Sequence, residues 1–186
     1  MNRTRTILSS LAVVAGSAIL SLASLASLAS TGCSSPSGPP VVTVPTDVSF
    51  AKNVMPIFVA SCTISGACHG QMNNSSEENL YLGDHTTNTP TTIMQTYMGL
   101  VGVASVEDPG MPLVTIGEPS KSYLSHKVVG DQDTLDSECA MTTPLCVLGC
   151  TTQKPCGVFM PWNGVQLAQS SVDTINNWIT QGAKYN

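Results

Sequence analysis

Hydrophobic residues recur at helical spacing most clearly near the C-terminus of the chain. The recurring residues are Val172, Ile175, Trp178 and Ile179. Their i, i+3, i+6, i+7 spacing is typical of an amphipathic helix with one buried face. Ser170 or Ser171 is expected to cap this helix, and Asp173 favours its positive end. Gly182 is expected to end the helix, because glycine adopts the left-handed conformation that closes many helices.

Weaker helical patterns occur earlier in the chain. Asn53 is expected to cap a helix with Pro56 in its first turn, where a missing N–H does no harm. The apolar side of that helix would carry Val54, Ile57, Phe58 and Cys62. Two further short helices are predicted near 91–100 and 120–129. The chain is therefore expected to be mostly α.

An uninterrupted apolar stretch distinguishes the N-terminus from these amphipathic segments. Residues 7–29 contain no charge and follow two arginines, as in an export signal. The Gly32-Cys33 junction is similar to a bacterial lipoprotein cleavage site, which predicts a signal peptide over 1–32 and a lipid on Cys33. Cleavage after Ala29 and an uncleaved anchor long enough to span a bilayer are the alternatives.

The rest of the chain divides into a tether and one domain. Residues 33–46 are rich in proline and serine, which favours an extended tether. Residues 47–186 have the length of a single domain. The chain carries 7 Lys and Arg against 12 Asp and Glu, a net charge of −5, and no basic stripe for nucleic acid. We expect an exported protein, periplasmic or at the outer membrane or cell surface, held to a membrane by its lipid.

Four cysteines lie close together in a segment with the composition of a loop. They are Cys139, Cys146, Cys150 and Cys156. In an oxidising compartment they are expected to form two local disulfides, with three possible pairings. A zinc cluster is the competing interpretation. The spacings contain no Cys-x-x-Cys pair, which favours disulfides.

Two other cysteines precede a histidine, in the order Cys62, Cys68-His69-Gly70. In c-type cytochromes, two thiols bond the haem vinyl groups, and the adjacent histidine binds iron. Here five residues separate the cysteines instead of two, and Ser65 occupies the usual position of the first cysteine. Both cysteines could bond haem, Cys68 could do so alone, or the two could form a disulfide with no haem present.

Met160-Pro161 offers a second axial ligand. A thioether is a soft ligand that suits haem iron, and the proline restricts the backbone just after it. Core packing is the ordinary role of methionine, and Met111-Pro112 is a second pair of the same kind. Met160 is preferred because it lies shortly before the terminal helix.

The succession of these segments resembles the divergent class I cytochrome c-like domains of exported bacterial proteins. The matching segments, within about 49–184, are Val54-Met55-Pro56-Ile57-Phe58, Cys68-His69-Gly70, Pro119-x-x-Ser122-Tyr123-Leu124, Met160-Pro161 and Trp178-Ile179-x-x-Gly182-Ala183. The resemblance implies that Cys62 and Cys68 form thioethers to haem c, with His69 and Met160 as axial ligands. It also implies that the first and last helices close the core, with Phe58 and Trp178 as the aromatic residues at their contact.

The fold implied by this resemblance is a cytochrome c-like helical domain with long, disulfide-stapled loops. Its implied function is electron transfer between other exported redox proteins, without enzyme activity. A haemless, disulfide-stabilised lipoprotein that binds a partner or holds a surface structure is the alternative. A Cu(I)-binding domain using Cys68, His69 and Met160 is a third possibility.

Overall fold

The computed structural model describes residues 45–65, 68–72, 79–139, 154–162 and 164–186. All of them belong to one compact unit. The predicted signal peptide, Cys33 and all but the last two tether residues lie outside the described residues, as do Cys146 and Cys150. Among the described residues, no helix combines the length and apolar character that crossing a membrane requires.

Four α-helices form the regular structure of this unit. They are α1 (Met55–Ser61), α2 (Pro90–Met98), α3 (Tyr123–Val129) and α4 (Gln169–Thr180). A π-helical turn, Phe50–Val54, precedes α1. Two 3₁₀ segments flank α3, Pro119–Lys121 before it and Gln132–Leu135 after it. No strand is present in the described ranges, where pairing is limited to isolated bridges such as Val101 with Val114. A helical fold was predicted and is confirmed at this level.

The first helical segment begins earlier than the sequence pattern predicted. Ser49 is its cap, with Oγ accepting from the Lys52 N–H at 3.2 Å. Asn53 Oδ1 in turn accepts from the Ser49 N–H at 2.9 Å, so the two side chains satisfy first-turn donors reciprocally. The prediction that Asn53 caps the helix is therefore wrong. Pro56 does lie in the first turn of α1.

The helix α4 buries the predicted stripe, since Val172, Ile175, Trp178 and Ile179 are all buried. Its end is also as predicted. Gly182 has φ +100° and donates to the Ile179 carbonyl, while Ala183 donates to Trp178, which is the Schellman arrangement. Its start was predicted wrongly. The cap is Ala168, which has no side-chain acceptor, and Ser170 and Ser171 lie within the first turn.

An aromatic core joins the first and last helical segments. The Phe50 ring lies 4.9 Å from Trp178, 5.5 Å from Tyr97 and 6.3 Å from Phe58, centroid to centroid. These rings share one hydrophobic cluster with the buried faces of α1 and α4. Phe50 therefore provides the ring against Trp178, and Phe58 reaches this contact through Phe50.

One disulfide is present among the described residues, between Cys139 and Cys156. It packs with Tyr123 and Leu135 in a second, smaller cluster. Because both sulfurs are bonded to each other, neither is a thiolate ligand for the zinc cluster that the sequence left open.

Candidate functional site

An apolar cavity of about 430 Å³ lies between the end of α1, the segment around His69, and α3. Its volume falls within the range of small-molecule and cofactor sites. Four predicted site residues line it: Cys62, Cys68, His69 and Met160. Met111 does not line it and packs instead in the disulfide cluster. The fold thus brings residues from both ends of the domain to one apolar space.

The imidazole of His69 is buried and held in a defined orientation. Its Nδ1 lies 3.0 Å from the Leu80 carbonyl oxygen, which can only accept, so Nδ1 carries the proton and Nε2 has the free lone pair. Nε2 has no hydrogen-bond partner in the part of the chain that is described. An imidazole oriented through its other nitrogen is the usual arrangement of a metal-ligating histidine.

The electrostatics of the cavity keep His69 neutral. Burial lowers the pKa of the imidazole, the hydrogen bond to the Leu80 carbonyl opposes this, and the positive charge of Lys127 lowers the pKa further. A neutral imidazole is the form that binds a metal. His69 is therefore available as a ligand at neutral pH without first losing a proton.

Backbone contacts fix the segment that carries His69. Its N–H donates to the Cys62 carbonyl at 3.0 Å, and its carbonyl accepts from the Leu82 N–H at 2.9 Å. The next residue must be small. A Cβ on Gly70 would lie 2.7 Å from the Thr63 carbonyl oxygen, a contact that only glycine avoids without a backbone shift.

Cys62 and Cys68 are both free thiols, so the Cys62–Cys68 disulfide left open by the sequence is absent. Cys62 ends α1 and is 8 % exposed within the main core cluster. Burial raises the pKa of its thiol to about 12, and the nearby Cys68 charge adds to the effect. Cys68 is half-buried, and its Sγ lies 3.1 Å from the Ser65 Oγ.

Met160 is anchored to the cavity wall through its backbone. Its N–H donates to the Lys127 carbonyl at 2.8 Å, which ties it to α3. The following Pro161 is buried, while Trp162 is 55 % exposed, and both also line the cavity. Met160 as a whole is half-buried at this wall.

A buried polar network on the cavity wall was not predicted from the sequence. Lys127 Nζ lies 3.0 Å from Glu107 Oε2 and 2.9 Å from the Cys156 carbonyl oxygen. Tyr123 donates from its hydroxyl to the same carboxylate at 2.5 Å. The side chains of Lys127 and Glu107 are only 8 % and 7 % exposed, so their charges are neutralised by each other. The sequence shows that Tyr123 and Lys127 have the i, i+4 spacing of neighbours on one helix face. No local sequence signal identifies Glu107 as their partner.

The described residues contain no cluster of carboxylate, imidazole and thiol side chains of the kind that binds a metal ion. No group of three or more His, Cys, Asp or Glu side chains able to hold a metal ion occurs in the described residues. Among the described residues that line the cavity, His69 is the only histidine, and Cys62, Cys68 and Met160 are the sulfur-containing residues.

Comparisons with protein-family models, curated proteins and solved structures found no match for this chain. The cytochrome c-like resemblance consequently remains a prediction based on the residues quoted for it.

Proposed function

We propose that this chain is an exported haem c protein that transfers single electrons. The observation that carries the proposal is the cavity itself, where His69, Met160 and the thiols of Cys62 and Cys68 line one apolar space. His69 and Met160 are the proposed axial ligands. The helical fold, in this proposal, is of the cytochrome c-like kind, with loops stapled by disulfides.

The donor set and the cavity support this proposal. The volume suits a buried cofactor, the lining is mostly apolar, and His69 offers a neutral imidazole with Nε2 free. When bound, haem c supplies an iron centre that gains and loses one electron. A soft thioether from Met160 favours the reduced state and raises the potential.

The chain's other residues would orient and shield the cofactor. The Leu80 carbonyl holds the His69 ring, and the Lys127 carbonyl holds the Met160 backbone. The apolar lining excludes water, which also raises the potential. Because Lys127 is neutralised by Glu107, this wall adds little net charge to the site.

The proposed setting follows from the N-terminal sequence. A lipid on Cys33 and the tether 33–46 would hold the domain to a membrane outside the cytoplasm. Its partners would then be other exported redox proteins, and it would perform no substrate chemistry of its own.

The two methionines provide a matched test of the axial ligand. The full chain, exported by a host that attaches haem, is compared with Met160→Ala and Met111→Ala by absorbance and by redox titration. We expect Met160→Ala to abolish the long-wavelength sulfur-to-iron band and to lower the potential. Met111→Ala should leave both unchanged, because Met111 packs away from the cavity.

Three outcomes would count against this assignment. Loss of the band in Met111→Ala alone would show that the wrong methionine was chosen. A protein that purifies without haem but binds Cu(I) at Cys68, His69 and Met160 would favour the copper domain. A protein that binds neither would favour the haemless, disulfide-stabilised lipoprotein.

A further inference from the structure

We propose that Cys68 alone forms a thioether to haem, that Ser65 occupies the position of the first motif cysteine, and that Cys62 remains a buried thiol. This inference rests on the proposed haem function and specifies its attachment chemistry. It explains the unusual distance between the cysteines without a stretched attachment loop.

Ser65 has both the spacing and the geometry of the missing attachment residue. It precedes Cys68-His69 by the interval that the first cysteine has in the usual motif. The Cys68 N–H donates to the Ser65 carbonyl at 3.0 Å, and the two side chains meet with Oγ 3.1 Å from Sγ. Both residues line the cavity. Cys68 and residue 65, which is a serine in this chain, therefore lie side by side at the cavity.

Cys62 has a different structural role. Its N–H donates to the Phe58 carbonyl at 2.7 Å, which ends α1, and its carbonyl accepts from the His69 N–H. Its sulfur belongs to the main core cluster. Its side chain is only 8 % exposed, packed among the apolar residues of that cluster. Although Cys62 contributes to the cavity wall, its contacts are those of a core residue.

The bond-forming step consumes one thiol and one vinyl group. The sulfur of Cys68 bonds to the vinyl carbon nearest the porphyrin ring, the carbon–carbon π bond breaks, and the proton goes to the terminal carbon. This is an addition of S–H across a double bond, with no electron gained or lost and no leaving group. A serine hydroxyl is far less nucleophilic than a thiolate, so the second vinyl group stays intact.

Peptide mapping tests the assignment independently of redox activity. The haem-bearing full chain is unfolded, reduced, alkylated with iodoacetamide and digested with trypsin, which releases 53–121 with both cysteines. We expect this peptide to carry one haem and one alkyl group, with fragmentation placing the alkyl group on Cys62. Cys62→Ser should keep covalent haem, whereas Cys68→Ser should lose it.

The variant Ser65→Cys should restore double attachment. We expect its pyridine haemochrome α band to move to shorter wavelength than in the wild type, because a second vinyl group is saturated, while Cys62 is still alkylated. Ser61→Cys is the matched control, since Ser61 also lines the cavity but lacks the motif spacing. It should keep the wild-type band position.

The possible results separate this inference from the proposed function. A haem peptide with no alkylatable Cys62 would overturn single attachment and leave the haem function standing. An unchanged α band in Ser65→Cys would overturn the role given to residue 65. A wild-type peptide with both cysteines alkylated and no haem would instead contradict the proposed function itself.

Discussion

The aromatic core and the cavity are both apolar, but only the first is filled. Around Phe50, the rings of Tyr97 and Trp178 lie at contact distance. The indole N–H of Trp178 donates to the Lys184 carbonyl. The cavity retains about 430 Å³. Its lining is mostly apolar, although exposed residues such as Ile64 and Trp162 stand at its edge. A pocket of this size and lining is typical of a small-molecule or cofactor site.

The two regions also differ in their buried polar groups. The cavity wall contains a neutral imidazole, two thiols and the Lys127–Glu107 pair. Buried polar groups are costly unless partnered. The Lys127–Glu107 pair and the Nδ1 of His69 have partners. Stability should therefore depend mainly on the aromatic core, and cofactor binding on the cavity.

The largest expected effect comes from emptying the aromatic core. Trp178→Ala removes a fully buried indole and should lower the free energy of unfolding by about 4 kcal/mol. Trp162→Ala is the control, since that side chain lines the cavity but is exposed. It should change the free energy by only about 0.5 kcal/mol. Denaturant titration of both variants measures the free energy of unfolding. Equal losses would contradict the expectation that the aromatic core contributes more to stability than the cavity wall.

Breaking the buried ion pair should have the next largest effect. Lys127→Met leaves the Glu107 carboxylate buried without its cation, at a cost of about 3 kcal/mol. Adding Glu107→Gln should recover part of that loss, because the uncompensated charge is removed. The double-mutant cycle is followed by denaturant unfolding. Additive losses would show that the pair does not interact energetically.

Gly70 tests the packing that positions His69. Gly70→Ala would bring a Cβ against the Thr63 carbonyl and should cost about 2 kcal/mol, as overpacking does. Gly102→Ala is a useful comparison, because it has open space around it but a φ of +73°, so only backbone strain of about 1 kcal/mol applies. Thermal unfolding of both variants should rank them in this order; a reversed ranking would argue against the contact.

The smallest effect is a pH dependence from His69 in the haem-free chain. Its pKa is lowered in the folded state from the ordinary 6.5, so below that pH the unfolded chain binds a proton that the folded chain does not. Stability should then fall as pH falls below 6.5, by at most about 1.4 kcal/mol per pH unit. Above it, this contribution is constant. Denaturant unfolding at several pH values should show a shallower decline in His69→Gln; equal slopes would contradict the shift.

Sequence reasoning succeeded where the pattern was local. The α4 stripe and its end at Gly182 follow from periodicity and from glycine's conformational freedom. Helix starts were less predictable, since several polar residues near each start can act as caps. Ser49 rather than Asn53 holds that role, and Ala168 has no capping side chain.

The site was predictable only in its motif residues. Cys68-His69 and Met160 have sequence signatures, but the groups that hold them do not. The Leu80 carbonyl and the Glu107 carboxylate reach His69 and Lys127 only through the tertiary fold. The pairing of Cys139 with Cys156 could not be chosen either, because four cysteines allow three connectivities.

The proposed covalent attachment of haem to this chain can be tested by absorbance of the unfolded protein. The full chain is exported by a host with haem-attachment machinery, purified, unfolded, and examined by absorbance. We predict a Soret band and, after reduction, an α band that stay with the unfolded polypeptide. A colourless protein, or a colour that separates from the chain on unfolding, would contradict the account.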